Sequence, residues 1–128
     1  MTALHHLNVP LSKATTCYSH VVLDGDYAFL AGQLAADRAD GAYTLGDIEE
    51  ETRTSMDLLG AALRAIGLGF EDVVRVGVFM TDLSQFKRMN AVYERYFPPG
   101  RLPARTCVGV TGLAYDALIE IDLICKRP

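Results

Sequence analysis

Three side chains carry most of the chemistry this sequence can offer: Arg105, Glu120 and Tyr18. A guanidinium presents a planar, two-pronged donor set that suits a carboxylate. A glutamate held in a partly dry cleft suits general acid–base work, because burial raises its pKa toward neutrality. A tyrosine can donate a hydrogen bond within a site. Each has a plainer reading beside it. Arg105 and Glu120 could form a structural salt bridge at an interface, and Tyr18 could merely begin a strand. Cys107 could be a nucleophile, but no histidine stands at a suggestive position, and a lone strand cysteine is usually a small core residue. Asn90 reads first as an exposed helix residue. His5-His6 is followed by no third ligand at a metal-site spacing, so it reads as part of a solvated N-terminal arm. No Ser-His-Asp set, metal cluster or phosphate-cradling glycine loop is found.

The elements that must position these groups follow from periodicity. Residues 18–23 read as a short strand, Asp24-Gly25-Asp26 as a hairpin turn, and residues 27–34 as the returning strand. Gly32 lies inside that strand, where a glycine marks a bulge or a close backbone approach. Ile48, Thr52, Met56, Leu59, Leu63 and Ile66 recur at spacings of three and four, which predicts a helix over 47–66 capped by Gly67. Glu49, Glu50 and Glu51 fall in its first turn, where they favour the helix dipole and need no functional reading. Residues 73–81 are β-branched and aromatic, apolar on both faces apart from Arg75, and read as a central strand. Asp82 and Gln85 suit the start of a second helix, with Phe86, Met89, Tyr93 and Phe97 as its buried stripe and Pro98-Pro99-Gly100 as its end.

Residues 104–112 and 117–126 alternate and are expected to pair as a terminal hairpin. Ile119, Ile121 and Leu123 are uniformly apolar and mark the helix-packed face, so Glu120 belongs to the other face. The register of that hairpin decides whether Arg105 shares the face of Glu120. The element order is β-β-α-β-α-β-β in one domain over 1–128. It is an α+β fold, a mixed sheet with both helices on one face. The other sheet face has no covering element, which hints at association with further copies.

Composition narrows the partners. Twelve basic residues against sixteen acidic ones leave a net charge of −4 in 128 residues, with no basic run, so nucleic acid is disfavoured. Half the residues are apolar, enough for a core, yet the apolar runs are too short to span a bilayer. Met1 to Leu11 does not read as a secretory signal. Cys17, Cys107 and Cys125 are odd in number and form no CxxC, which fits a reduced cytoplasmic setting.

Pro103-Ala104-Arg105-Thr106-Cys107-Val108, followed by Leu118-Ile119-Glu120-Ile121-Asp122, resembles the YjgF/YER057c/UK114 family, also called the reactive intermediate deaminase (RidA) or L-PSP endoribonuclease family. Tyr18-Ser19-His20, Ala31-Gly32-Gln33, residues 72–82 and Met89-Asn90 through Tyr96-Phe97 extend the likeness over nearly the whole chain. The resemblance implies a fold like the trimeric bacterial chorismate mutase, a homotrimer, and clefts between subunits. It implies that Arg105 clamps a substrate carboxylate and that Glu120 activates water and shuttles protons. Tyr18 would line the pocket, the backbone at Gly32 and Cys107 would contact ligand, and Asn90 would support it. The implied reaction is hydrolysis of 2-aminoacrylate-type enamines and imines to 2-oxo acids and ammonia, without metal or organic cofactor. Ala31, in the same ligand-contacting segment, stands where the family often has Ser, so one hydroxyl contact is missing. Thr16-Cys17, Gly109 and Leu113-Ala114-Tyr115 also depart from the family pattern, so the pocket rim differs and a larger imine is one outcome. The alternatives are a non-catalytic carboxylate binder or chaperone-like trimer, and a tailoring enzyme or ribonuclease on this scaffold. The acidic balance counts against the ribonuclease.

Overall fold

The computed structural model describes residues 4–15 and 17–128, so Thr16 lies outside the described residues. The chain forms strands β1 (His5–Leu7), β2 (Val21–Asp24) and β3 (Tyr27–Gln33), helix α1 (Ile48–Ala65), strand β4 (Val73–Met80), helix α2 (Phe86–Tyr93), and strands β5 (Ala104–Gly109) and β6 (Ile119–Lys126). The six strands make one mixed sheet in the order β1-β2-β3-β6-β4-β5. Both helices pack on one face of it, so the α+β architecture is as expected.

Local chemistry explains the helix ends. The Asp47 carboxylate accepts from the backbone N–H groups of Glu49 and Glu50 at 2.9 and 3.3 Å, satisfying donors that the first turn leaves open. At the other end Gly67, at φ 76°, lets Leu68 N–H reach the Leu63 carbonyl and Gly67 N–H reach that of Arg64. The core beneath is built from Met56, Leu59 and Leu63 of α1, Met89 and Tyr93 of α2, and the inward residues Val76, Val78, Ile119, Ile121 and Leu123. Phe86 is the exception in its stripe. It stays exposed at the rim of the core, because α2 begins only there, after a single 3-10 turn at Leu83–Gln85.

Three expectations are corrected. Tyr18 precedes β2 rather than beginning it, and His5–Leu7 adds a strand that pairs with β2. The terminal hairpin does not form. β5 runs parallel to β4 at the sheet edge, while β6 is antiparallel to both β3 and β4 and lies between them. The crossover through α2 is long enough to make β4 and β5 parallel neighbours. β4 is interior to the sheet as expected, while its outward Arg75, Gly77 and Phe79 lie on the face without helices.

The first-turn acids are not all solvated. Glu51 is fully buried. Its carboxylate accepts from Gly46 N–H at 2.7 Å and from Leu118 N–H at 2.9 Å, tying the loop before α1 to the start of β6. Glu51→Ala would orphan two backbone donors and is expected to destabilise the fold by about 2–4 kcal/mol. Glu51→Gln should recover part of that, since an amide oxygen can accept from one of them. Urea unfolding checks this, and a loss for Glu51→Ala below about 0.5 kcal/mol, the range of an ordinary surface change, would contradict it.

Candidate active site

Glu120 sits on the face of the sheet that carries no helix, paired across β4 with Phe79. Its close neighbour is Gly32. A Cβ at Gly32 would lie 2.5 Å from a Glu120 carboxylate oxygen, so only glycine admits the carboxylate there. The backbone makes the same accommodation. Between the pairs Leu30↔Leu123 and Gln33↔Ile121, β3 spends one residue more than β6, a bulge at Ala31-Gly32. The bulge and the missing side chain together open a cleft of about 550 Å³ that Tyr18, Ala31, Gly32, Asp37, Tyr115 and Glu120 help to line. Among the described residues Glu120 makes no hydrogen bond or ion pair. Burial, then the negative charges of Asp37 and Asp122, push its pKa above the ordinary carboxylate range.

The cleft wall is held by backbone bonds. His20 is buried, accepting at Nδ1 from Val9 N–H at 2.9 Å and donating from Nε2 to the Lys13 carbonyl at 3.0 Å. Its own carbonyl accepts from Ala31 N–H at 2.8 Å. The segment before β2 is thereby pinned against β3, which brings Tyr18 to the cleft. Burial, followed by Asp37, Glu120 and Tyr115, raises the Tyr18 phenol, so it remains a donor at neutral pH.

Arg105 lies on the opposite face. In register it matches Val76, which matches Leu123, and both of these are buried beneath the helices. Its guanidinium donates to Asn90 Oδ1 at 2.7 Å and stands 4.8 Å from the Tyr93 ring centroid and 5.3 Å from that of Phe86. This aromatic cradle holds the cation while leaving most of its N–H groups unused. Arg105, Asn90, Tyr93, Leu102 and Pro103 line a second cleft, of about 310 Å³. Cys107 shares the face of Arg105 but packs against the core, and burial raises its thiol pKa, so it is a poor nucleophile.

The named residues therefore fall into two groups within one chain. Tyr18, Ala31, Gly32 and Glu120 gather at one cleft, whereas Arg105 and Asn90 gather at the other. Asp37, Tyr115, Tyr93 and Phe86 were not anticipated as site residues. Phe86, Asn90 and Tyr93 stand at i, i+4 and i+7, so a helix face aimed at Arg105 was available in the spacing. Asp37 and Tyr115 lie in loops and leave no such pattern. Among the described residues no three His, Cys, Asp or Glu side chains are placed to share a metal ion, and no helix is long and apolar enough to cross a membrane.

The fold and its two clefts define a class: a small α+β domain with one bare sheet face, a raised carboxyl in a glycine-floored cleft, and an arginine cradled by aromatic rings. The profile of the family described as Endoribonuclease L-PSP matches residues 10–126, and the chain belongs to that family, the YjgF/RidA group it resembles. A RutC family protein of Pyrococcus horikoshii is 39% identical to it over 86% of each chain. The 2-iminobutanoate/2-iminopropanoate deaminase of Rattus norvegicus is 34% identical, covering 99% of this chain and 94% of its own. The crystal structure of a putative endoribonuclease from Thermotoga maritima superposes with a TM-score of 0.86 at 38% identity, over 94% of this chain and 97% of that one.

Carbon-13 NMR titration of the side-chain carboxyls should find Glu120 above the ordinary glutamate range. Asp37→Asn removes a negative neighbour and should lower that pKa. An unchanged or higher value in the variant would contradict the assigned cause.

Proposed function

We propose that the protein hydrolyses 2-imino acids, and the 2-aminoacrylate-type enamines that tautomerise to them, to 2-oxo acids and ammonia. The observation that carries this reading is the Glu120 carboxyl: half-buried, raised in pKa, unpartnered among the described residues and open to a cleft. Family membership and the deaminase name of the rat relative support the reaction class. Arg105 fits the substrate carboxylate through a charge-assisted pair of N–H donors.

Glu120 takes a proton from water as the oxygen adds to the imine carbon and passes it to the imine nitrogen, giving a neutral carbinolamine. The carboxylate then takes the hydroxyl proton and delivers it to the amino nitrogen as the C–N bond breaks. The carbonyl forms, ammonia departs, and Glu120 is again the carboxylate it began as. One imine and one water become one 2-oxo acid and one ammonia. A carboxyl with a raised pKa suits both directions of transfer, and general acid–base assistance of this kind is worth about 10²–10⁴-fold. The scheme calls on no cofactor. The Glu120 cleft also contains Asp37, and two acidic side chains there disfavour a phosphodiester substrate.

Because Arg105 and Glu120 lie on opposite faces of one sheet, the reading includes a second copy of the chain, which would bring its Arg105 to this Glu120. The bare face supports association: Phe29 and Val108 are about 40% exposed there beside Phe79 and Ile124. A homotrimer with sites between subunits, as the resemblance implies, is the assembly proposed. A reduced, cytoplasmic setting is the matching location, with Cys107 and Cys125 as thiols.

Arg105→Ala and Glu120→Ala should each lower release of 2-oxo acid from freshly generated 2-aminoacrylate by at least about 100-fold. Light scattering should give about three times the 14.0 kDa chain mass. A co-refolded equal mixture of the two variants should regain about a quarter of the wild-type rate, since one site in four would combine an intact Arg105 with an intact Glu120. Full activity in both single variants would remove the mechanism. An inactive mixture of the correct size would remove the shared site.

A further inference from the structure

One residue of the Glu120 cleft has no part in the reaction scheme. Tyr115 lines the same cleft as Glu120 and is 64% exposed. Its backbone is left-handed, at φ 57° and ψ 28°, and Asp116 follows at φ 55°. Asp tolerates that region, but a bulky aromatic residue seldom adopts it, and a plain turn would place Gly or Asn there. A residue kept against its backbone preference in a cleft points to use of its side chain.

The ring also has a cationic neighbour. Lys13 Nζ stands 5.1 Å from its centroid, a cation–π contact. The Lys13 backbone is held: its N–H donates to the Asp37 carbonyl at 2.7 Å, and its carbonyl accepts from His20 Nε2. Tyr18 supplies a second ring to the cleft, with its own edge toward His20 at 6.3 Å between centroids. Ala31, Leu34 and Ala114 complete the wall with small or apolar surface. Glu120 and Asp37 are the acidic groups there, and they repel an anionic side chain. A methyl or ethyl substituent offers the rings little surface, whereas an aryl group would pack edge-to-face or offset against them, the geometry aromatic pairs prefer.

We infer that Tyr115, with Tyr18, selects the substrate side chain, and that the preferred substrates are 2-imino acids bearing an aryl group rather than a short alkyl chain. The inference rests on the imine-hydrolysis reading above and names its substrate class.

The test compares two imines made in situ by an L-amino acid oxidase, from phenylalanine and from alanine, with hydrolysis read against semicarbazide trapping. The quantity measured is the ratio of kcat/KM for the aryl imine to that for the alkyl imine. Wild type should favour the aryl imine, and Tyr115→Gly should lower the ratio about ten-fold. Glycine adopts the left-handed region freely, so this variant should melt no lower than wild type. Tyr115→Phe should keep the ratio within about two-fold, because the ring remains. A ratio unchanged in Tyr115→Gly, or a wild-type preference for the alkyl imine, would overturn the inference while leaving imine hydrolysis intact. Hydrolysis of neither imine by wild type would overturn both.

Discussion

The pleat of β6 sends Ile119, Ile121, Leu123 and Cys125 under the helices and turns Glu120 and Asp122 to the bare face. A strand between two hydrogen-bonded neighbours cannot slip by one residue without exchanging those sets, burying two carboxylates and exposing four apolar side chains. Such a slip is far costlier than any surface rearrangement, so the position of Glu120 is fixed by the core behind it. Glu51 adds an anchor at the beginning of the strand, through Leu118 N–H. Gly32 provides the space that the Glu120 carboxylate then occupies.

The same alternation separates the charges. On β5, parallel to β4, Arg105 faces the helices and Val108 faces away. An arginine beside the core is tolerated because Asn90 and the rings of Tyr93 and Phe86 meet it, and because it lies near the sheet edge where a cleft admits solvent. Kept on opposite faces, the two groups do not pair within one chain, and the proposed association of copies would bring the Arg105 of one copy and the Glu120 of another to the same substrate.

The acidic character of the chain has a local meaning as well as a global one. Asp37 and Asp122 both act on Glu120, so their charges keep a proton near the reacting centre. Asp122 is itself raised by burial, an effect partly offset by Gly77 N–H at 3.0 Å and by Arg75. The aromatic residues serve two separate ends. Tyr93 and Phe86 hold a cation, while Tyr18 and Tyr115 form the walls of the carboxylate cleft.

Both helices, the end of α1 at Gly67 and the inward face of β6 were legible in the sequence, because helix and strand periods and capping are local properties of the chain. So were the face of Glu120 and a bulge or close approach at Gly32. The Arg105 and Glu120 segments could also be recognised as a family pattern. Which strands become neighbours was not legible, because alternation in residues 104–112 and 117–126 fits a hairpin as well as two strands separated by β4. That choice depends on the long crossover through α2 and on seating β4 between β6 and β5, which only the assembled sheet decides. The burial of Glu51, the approach of Asp37 to Glu120 and the stand of Lys13 over Tyr115 are likewise tertiary. Each joins segments whose separation in sequence carries no periodic signal, and only packing brings them within reach.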